Sequence, residues 1–280
     1  MTMAKVHGEK SKQEEVYEVS GRPFVDRFLQ GQDACIMAYG QTGSGKTFTI
    51  FGPEDEHVDP FGCSDSSGVV PRAIQQIFKA REQNLATGGG LLEYSLSMVE
   101  VYGDEIIDLL GEEEAKDAKK KALSHVAVLR RVQNLDECAR LLQLGSQRKT
   151  RAVSKSVLAS GSRNVPNKGD RIQEAIYINL GLLALKLRMQ NCVRALVNQD
   201  PYVPYSNSKL TLLLRRALGG NCVTSVIVTC ACENQNAAET IESLRFGEGL
   251  RLQLFLTRKH SQHGRGQRSS PRAGSRDISG

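Results

Sequence analysis

The chain has 280 residues, 40% hydrophobic and 24% charged, an ordinary balance for a protein that buries one large domain or two small ones. No apolar run approaches the roughly 20 residues that span a bilayer, and the N-terminal MTMAKVHGEKSKQEE has no apolar core of a secretory signal. The net charge is +6, and the seven cysteines form no C-x-x-C pair, which fits a reduced intracellular compartment rather than a disulfide scaffold.

Residues 1–12 are polar and read as disordered. Gln13 to Gln30 carries Val16, Val19, Phe24, Val25, Phe28 and Leu29 at helical spacing, with Pro23 marking a kink or break. The apolar run Ala34 to Tyr39 then reads as a strand. It leads into Gly40-Gln41-Thr42-Gly43-Ser44-Gly45-Lys46-Thr47, the pattern G-x-x-x-x-G-K-[ST] in the strand-then-helix setting that the motif requires. Each residue type has a physical task there. The glycines let successive backbone N–H groups turn inward to cradle phosphate oxygens. A helix opening near Gly45 adds the positive end of its dipole. Lys46 reaches the β- and γ-phosphates, and the Thr47 hydroxyl suits a Mg²⁺ ion. This points to a nucleoside triphosphate such as ATP, without saying how its energy is used. The bland alternative is a glycine-rich turn without a ligand.

Gly52-Pro53 stops the short helix, and Pro53 to Gly68 reads as an acidic loop. Val70 to Gln83 is an expected helix with Pro71 in its first turn, followed by a turn at Gly88-Gly89-Gly90. Leu92, Tyr94, Leu96 and Met98 alternate with polar residues as a half-buried strand does, and Glu105 to Leu110 reads as a short helix. Glu112 to Lys121 is a solvated charge run. Val126 to Val132 is strand-like. Asn134 and Glu137 resemble a helix cap for Leu135 to Leu144, and Gln147 to Arg151 reads as a basic loop. A long helix is expected from Asp170 to about Asn198, another from Ser208 to Leu218, a buried strand over Cys222 to Cys232, and a last helix over Ala237 to Phe246. The tail 257–280, with Arg258, Lys259, Arg265, Arg268, Arg272 and Arg276, reads as disordered and lacks the aromatics of a nucleic-acid binder, so nucleic acid is disfavoured as a partner. Strands alternating with helices imply an α/β fold with a mostly parallel sheet covered on both faces.

Several of these stretches, in this order, resemble the kinesin motor domain: AYGQTGSGKT at Ala38 to Thr47, MVEVYGDEIIDLL at Met98 to Leu110, GDRIQEAIYINLGLLAL at Gly169 to Leu185, VPYSNSKLTLLLRRALGGN at Val203 to Asn221, and ETIESLRFGEGLR at Glu239 to Arg251. The resemblance covers most of residues 13–250, so a motor-like unit is expected over 13–256. It implies a P-loop NTPase-type three-layer sandwich, an ATP and Mg²⁺ site at Gly40 to Thr47, hydrolysis coupled to movement, and microtubules as the partner, in the cytoplasm on the cytoskeleton. Tubulin is acidic, so basic contacts are required. Lys209 matches a family lysine, and Arg215 and Arg216 add positive charge beside it. An ordinary solvated helix face explains those two arginines equally well.

The resemblance also has gaps. The serine-rich first-switch element N-x-x-S-S-R-S-H is absent. Val157-Leu158-Ala159-Ser160-Gly161-Ser162-Arg163 resembles a damaged second switch, D-L-A-G-S-E-R, with Val157 at the aspartate position and Gly161 and Ser162 as its remnant. The two strands between the switches, and the first strand with its Arg-x-Arg-Pro segment, are missing too. Lys186 to Gln190 stands where the family has about one glycine. The chain is therefore either a kinesin gene product that has lost internal segments or a degenerate kinesin that binds without turnover. An unrelated P-loop kinase or transport ATPase would explain Gly40 to Thr47 alone. No heptad stretch supports dimerisation. His57, His125, His260 and His263 are too scattered for a metal site, and Cys230 and Cys232 read as buried strand cysteines.

Overall fold

The computed structural model describes residues 5–53, 64–102, 105–111, 127–159, 187–231, 233 and 236–263. Helix α1 (Gln13–Ser20) and helix α2 (Arg22–Leu29) divide the first helical stretch at Gly21, with Pro23 in the first turn of α2, where a missing N–H costs nothing. Strand β1 (Ala34–Tyr39) follows, then the short helix α3 (Lys46–Phe51) and the longer α4 (Val69–Ala86). The strand expected over Leu92 to Met98 is the shorter β2 (Tyr94–Leu96), and a further strand, β3 (Val99–Tyr102), follows it.

Glu105–Asp108 is a strand, β4, and not the short helix expected there. Its β-branched Ile106 pairs with Val101 in an antiparallel ladder with β3, so cross-strand packing overrides a locally ambiguous sequence. Strand β5 (Arg130–Val132) pairs antiparallel with β2. Helix α5 (Leu135–Ala159) runs straight through Gln147 to Arg151, which is therefore helical and not a loop. Basic residues alone do not stop a helix, and no proline interrupts this one. A helix over 187–198, α6, leads to a 3₁₀ turn at Tyr205–Asn207 and to two short helices, α7 (Lys209–Leu213) and α8 (Arg215–Gly219), where one helix was expected. Strand β6 (Val223–Val228) ends short of Cys230, which is exposed rather than buried; Cys232 lies outside the described residues. Helix α9 (Ala237–His263) extends well past Phe246 and into the segment expected as a tail.

The site is positioned by β1 and β6, a parallel pair in register from Ala34↔Val223 to Tyr39↔Val228. Among the described residues this is the parallel ladder; the other two pairings are antiparallel. One core cluster joins α6, α8 and α9 through Met189, Cys192, Val193, Leu218, Phe246 and Leu250, with Tyr39 and Val226 of the parallel pair packed against it. A second joins α4, β5 and α5 through Phe78, Val132 and Cys138. No described helix is long and apolar enough to cross a membrane.

Candidate functional site: the phosphate loop

The chain leaves β1 at Tyr39 and turns at once through Gly40. A side chain at Gly40 would collide with the carbonyl oxygen and hydroxyl of Thr229, so the first glycine of the motif is required by the neighbouring strand. Gly43 (φ 79°) and Gly45 (φ 90°) adopt left-handed backbone that a Cβ disfavours, and a Cβ built on either meets nothing within 4 Å. The loop is thus forced into its curl by conformation at 43 and 45 and by packing at 40.

Inside the curl the Gln41 carbonyl oxygen gathers donors. The Ser44 amide reaches it at 3.3 Å, the Ser44 hydroxyl at 2.8 Å and the Lys46 ammonium at 2.5 Å. Burial lowers the pKa of Lys46 below the ordinary lysine value, because desolvation disfavours its charge. The loop closes into α3 through the Thr49 amide and hydroxyl, each 2.9 Å from the Gly45 carbonyl. Thr42 and Thr47 are exposed at the rim. Gly40 to Thr47 thus run from the end of β1 into the first turn of α3.

These residues fit a polyphosphate. Space is open beside Gly43 and Gly45, the half-buried Lys46 ammonium lies against the Gln41 carbonyl, and the negative charge of a phosphate would offset the desolvation of Lys46. Thr47 offers one hydroxyl to a Mg²⁺ ion. Among the described residues no group of three or more His, Cys, Asp or Glu side chains could hold a metal ion.

The other predicted residues lie elsewhere. Gly161 and Ser162 are outside the described residues, and Val157 is within the last turns of α5. Lys209 is exposed at the start of α7, whose N-cap Ser208 accepts the Thr211 amide at 3.0 Å. Arg215 sets its guanidinium 5.6 Å from the centre of the Tyr205 ring, and Arg216 forms an ion pair with Asp33, the residue before β1. Both arginines are exposed yet have partners within the chain.

Sequence reasoning missed Thr229, which abuts the loop from the end of β6, and Gln13, whose side-chain amide donates to the Phe48 carbonyl at 2.7 Å. Both contacts are long-range, and neither residue carries a motif. The register of β6 against β1 is the signal that would have found Thr229.

The family description "Kinesin motor domain" matches the chain twice, over residues 1–164 and 157–252. Among curated relatives, the kinesin-like protein KIN-14K of Arabidopsis thaliana is 31% identical over 270 residues, covering 87% of this chain and 26% of that protein. Carboxy-terminal kinesin 2 of Xenopus laevis is 33% identical over 281 residues, covering 84% and 42%. The chain thus spans less than half the length of either. The alignment with kinesin-related protein 7 of Dictyostelium discoideum runs to 294 positions while engaging 88% of this chain, so that relative carries internal residues absent here. The crystal structure of the Drosophila kinesin family member Kin10/NOD with manganese and ADP superposes with a TM-score of 0.63 at 21% identity, covering 88% of this chain and 84% of that one. A second Drosophila NOD structure, docked with bovine tubulin on the microtubule, gives the same score over 87% of this chain. A phosphate loop on a parallel strand pair, the kinesin fold around it and a family match over most of the sequence agree: the chain belongs to the kinesin motor-domain family.

Proposed function

We propose that the chain binds ATP with Mg²⁺ at Gly40 to Thr47 and acts as a kinesin-like microtubule motor module, coupling nucleotide turnover to microtubule-based movement in the cytoplasm. The observation that carries this reading is the phosphate loop itself, curled through the positive-φ Gly43 and Gly45 and containing the half-buried Lys46. Phosphoryl transfer relies mainly on positioning and charge stabilisation, and these residues supply both to the phosphates. Bound Mg²⁺ would neutralise charge on the phosphate oxygens, with Thr47 as its protein ligand. The family relationship, and NOD docked on tubulin, support microtubules as the partner. Lys209 is the best-presented candidate contact. Arg215 and Arg216 supply positive potential while staying tied to Tyr205 and Asp33.

A second reading is a module that binds nucleotide and microtubules without productive turnover. Val157 favours it, because an apolar side chain standing where the family has an aspartate cannot hold a metal's water shell. Microtubule-stimulated phosphate release separates the two. The motor reading expects turnover that Lys46→Ala abolishes. Co-sedimentation with microtubules without turnover supports the second reading, and neither binding nor turnover would sink both.

A further inference from the structure

We propose that Thr229, at the end of β6, is a positioning residue that sets the shape of the phosphate loop through Ser44; its consequence for ligand affinity rests on the nucleotide-binding reading above. Thr229 is 9% exposed and is anchored by its own backbone, whose amide donates to the Tyr39 carbonyl at 2.8 Å and continues the β1–β6 ladder by one step. Its carbonyl fills the space that a Gly40 side chain would need. Its hydroxyl lies 2.7 Å from the Ser44 hydroxyl and 3.3 Å from the Tyr39 carbonyl. One residue just past β6 thus abuts Gly40 and meets the Ser44 hydroxyl.

The proton count gives the contact its consequence. Each hydroxyl has a single proton to donate. When Ser44 donates to Gln41, Thr229 donates to Ser44, and the Gln41 carbonyl holds both Ser44 and Lys46. When Ser44 donates to Thr229 instead, Thr229 donates to Tyr39 and the Gln41 carbonyl keeps Lys46 without the Ser44 hydroxyl. In both arrangements a continuous hydrogen-bond chain ties the loop to the sheet. A β-branched side chain has a stiff χ1, which keeps the hydroxyl aimed. Valine would keep that shape and delete the bridge.

The test compares wild type, Thr229→Val, Thr229→Ser and Lys46→Ala. Amide hydrogen exchange across 40–47, measured without nucleotide, reads the loop directly; equilibrium binding of a fluorescent ATP analogue reads its consequence. Thr229→Val should exchange faster across the loop and bind roughly three- to tenfold more weakly, the effect of one neutral hydrogen bond. Thr229→Ser should restore both, which a role in methyl packing would not. Wild-type exchange in Thr229→Val, or no rescue by serine, overturns the inference. If Thr229→Val does not fold, a Thr229→Ser protein with wild-type exchange and binding still supports it, and one with a loosened loop overturns it. A wild-type chain that binds no more analogue than Lys46→Ala refutes the nucleotide reading instead, and the exchange data then still decide whether Thr229 shapes the loop.

Discussion

At the scale of single residues, Gly40 and Thr229 share one small volume. The close approach of a carbonyl oxygen leaves no room for a methyl group at position 40, and the oxygen belongs to backbone held by the β1–β6 ladder, so it cannot swing aside. Gly40→Ala should therefore destabilise the protein by about 1–3 kcal/mol, the usual cost of overpacking, and displace the loop. Chemical denaturation and analogue binding would measure the two effects; a stable variant with unchanged binding would contradict the packing argument. Gly43→Ala is a contrasting case. Space is open there, and the cost comes from a positive φ rather than from a collision.

At the scale of elements, the start of α5 shows a cap written plainly in the sequence. The Asn134 side chain accepts the Glu137 amide at 2.8 Å, and the Glu137 carboxylate accepts the Gln133 amide at 2.8 Å, a reciprocal arrangement close to a capping box. Asn134→Ala should cost about 1 kcal/mol, seen as a lower denaturation midpoint with an unchanged slope. This cap, strand β1 and the phosphate loop were legible because local chemistry dictates them. The elements misread are those decided at a distance. Glu105–Asp108 becomes a strand because β3 lies beside it. Helix α5 continues through Gly145, where an added side chain would meet the Met98 side chain, a neighbour that the local sequence does not reveal. Ser208 to Leu218 looked continuous, yet it breaks at Leu214 into two short helices. In the site, the motif marks out Gly40 to Thr47, but no local pattern could give Thr229, which reaches Ser44 across 185 positions.

At the scale of the whole molecule, buried and half-buried acids make stability fall at alkaline pH. Burial pushes the Cys35 and Cys138 thiols up to about 11 from 9.0, and the Tyr39 hydroxyl up to about 12 from 10.0. The folded state therefore holds protons that the unfolded chain releases earlier. Their contribution is fully present below about pH 9 and is lost as pH rises through 11 to 12. Melting temperature should be flat from neutral to about pH 9 with respect to these groups and then fall, as thermal unfolding between pH 7 and 11 would reveal. The pairing of β1 with β6 also has a consequence for the order of events during synthesis. At roughly 5–20 residues per second, the chain between Ser44 and Thr229 takes on the order of ten to forty seconds to make, and throughout that time the loop residues exist without the strand that shapes them. A nascent chain released at Cys222 would carry every residue of the nucleotide motif and should still bind no ATP analogue; a site spelled out near the beginning of the message becomes a site only near its end.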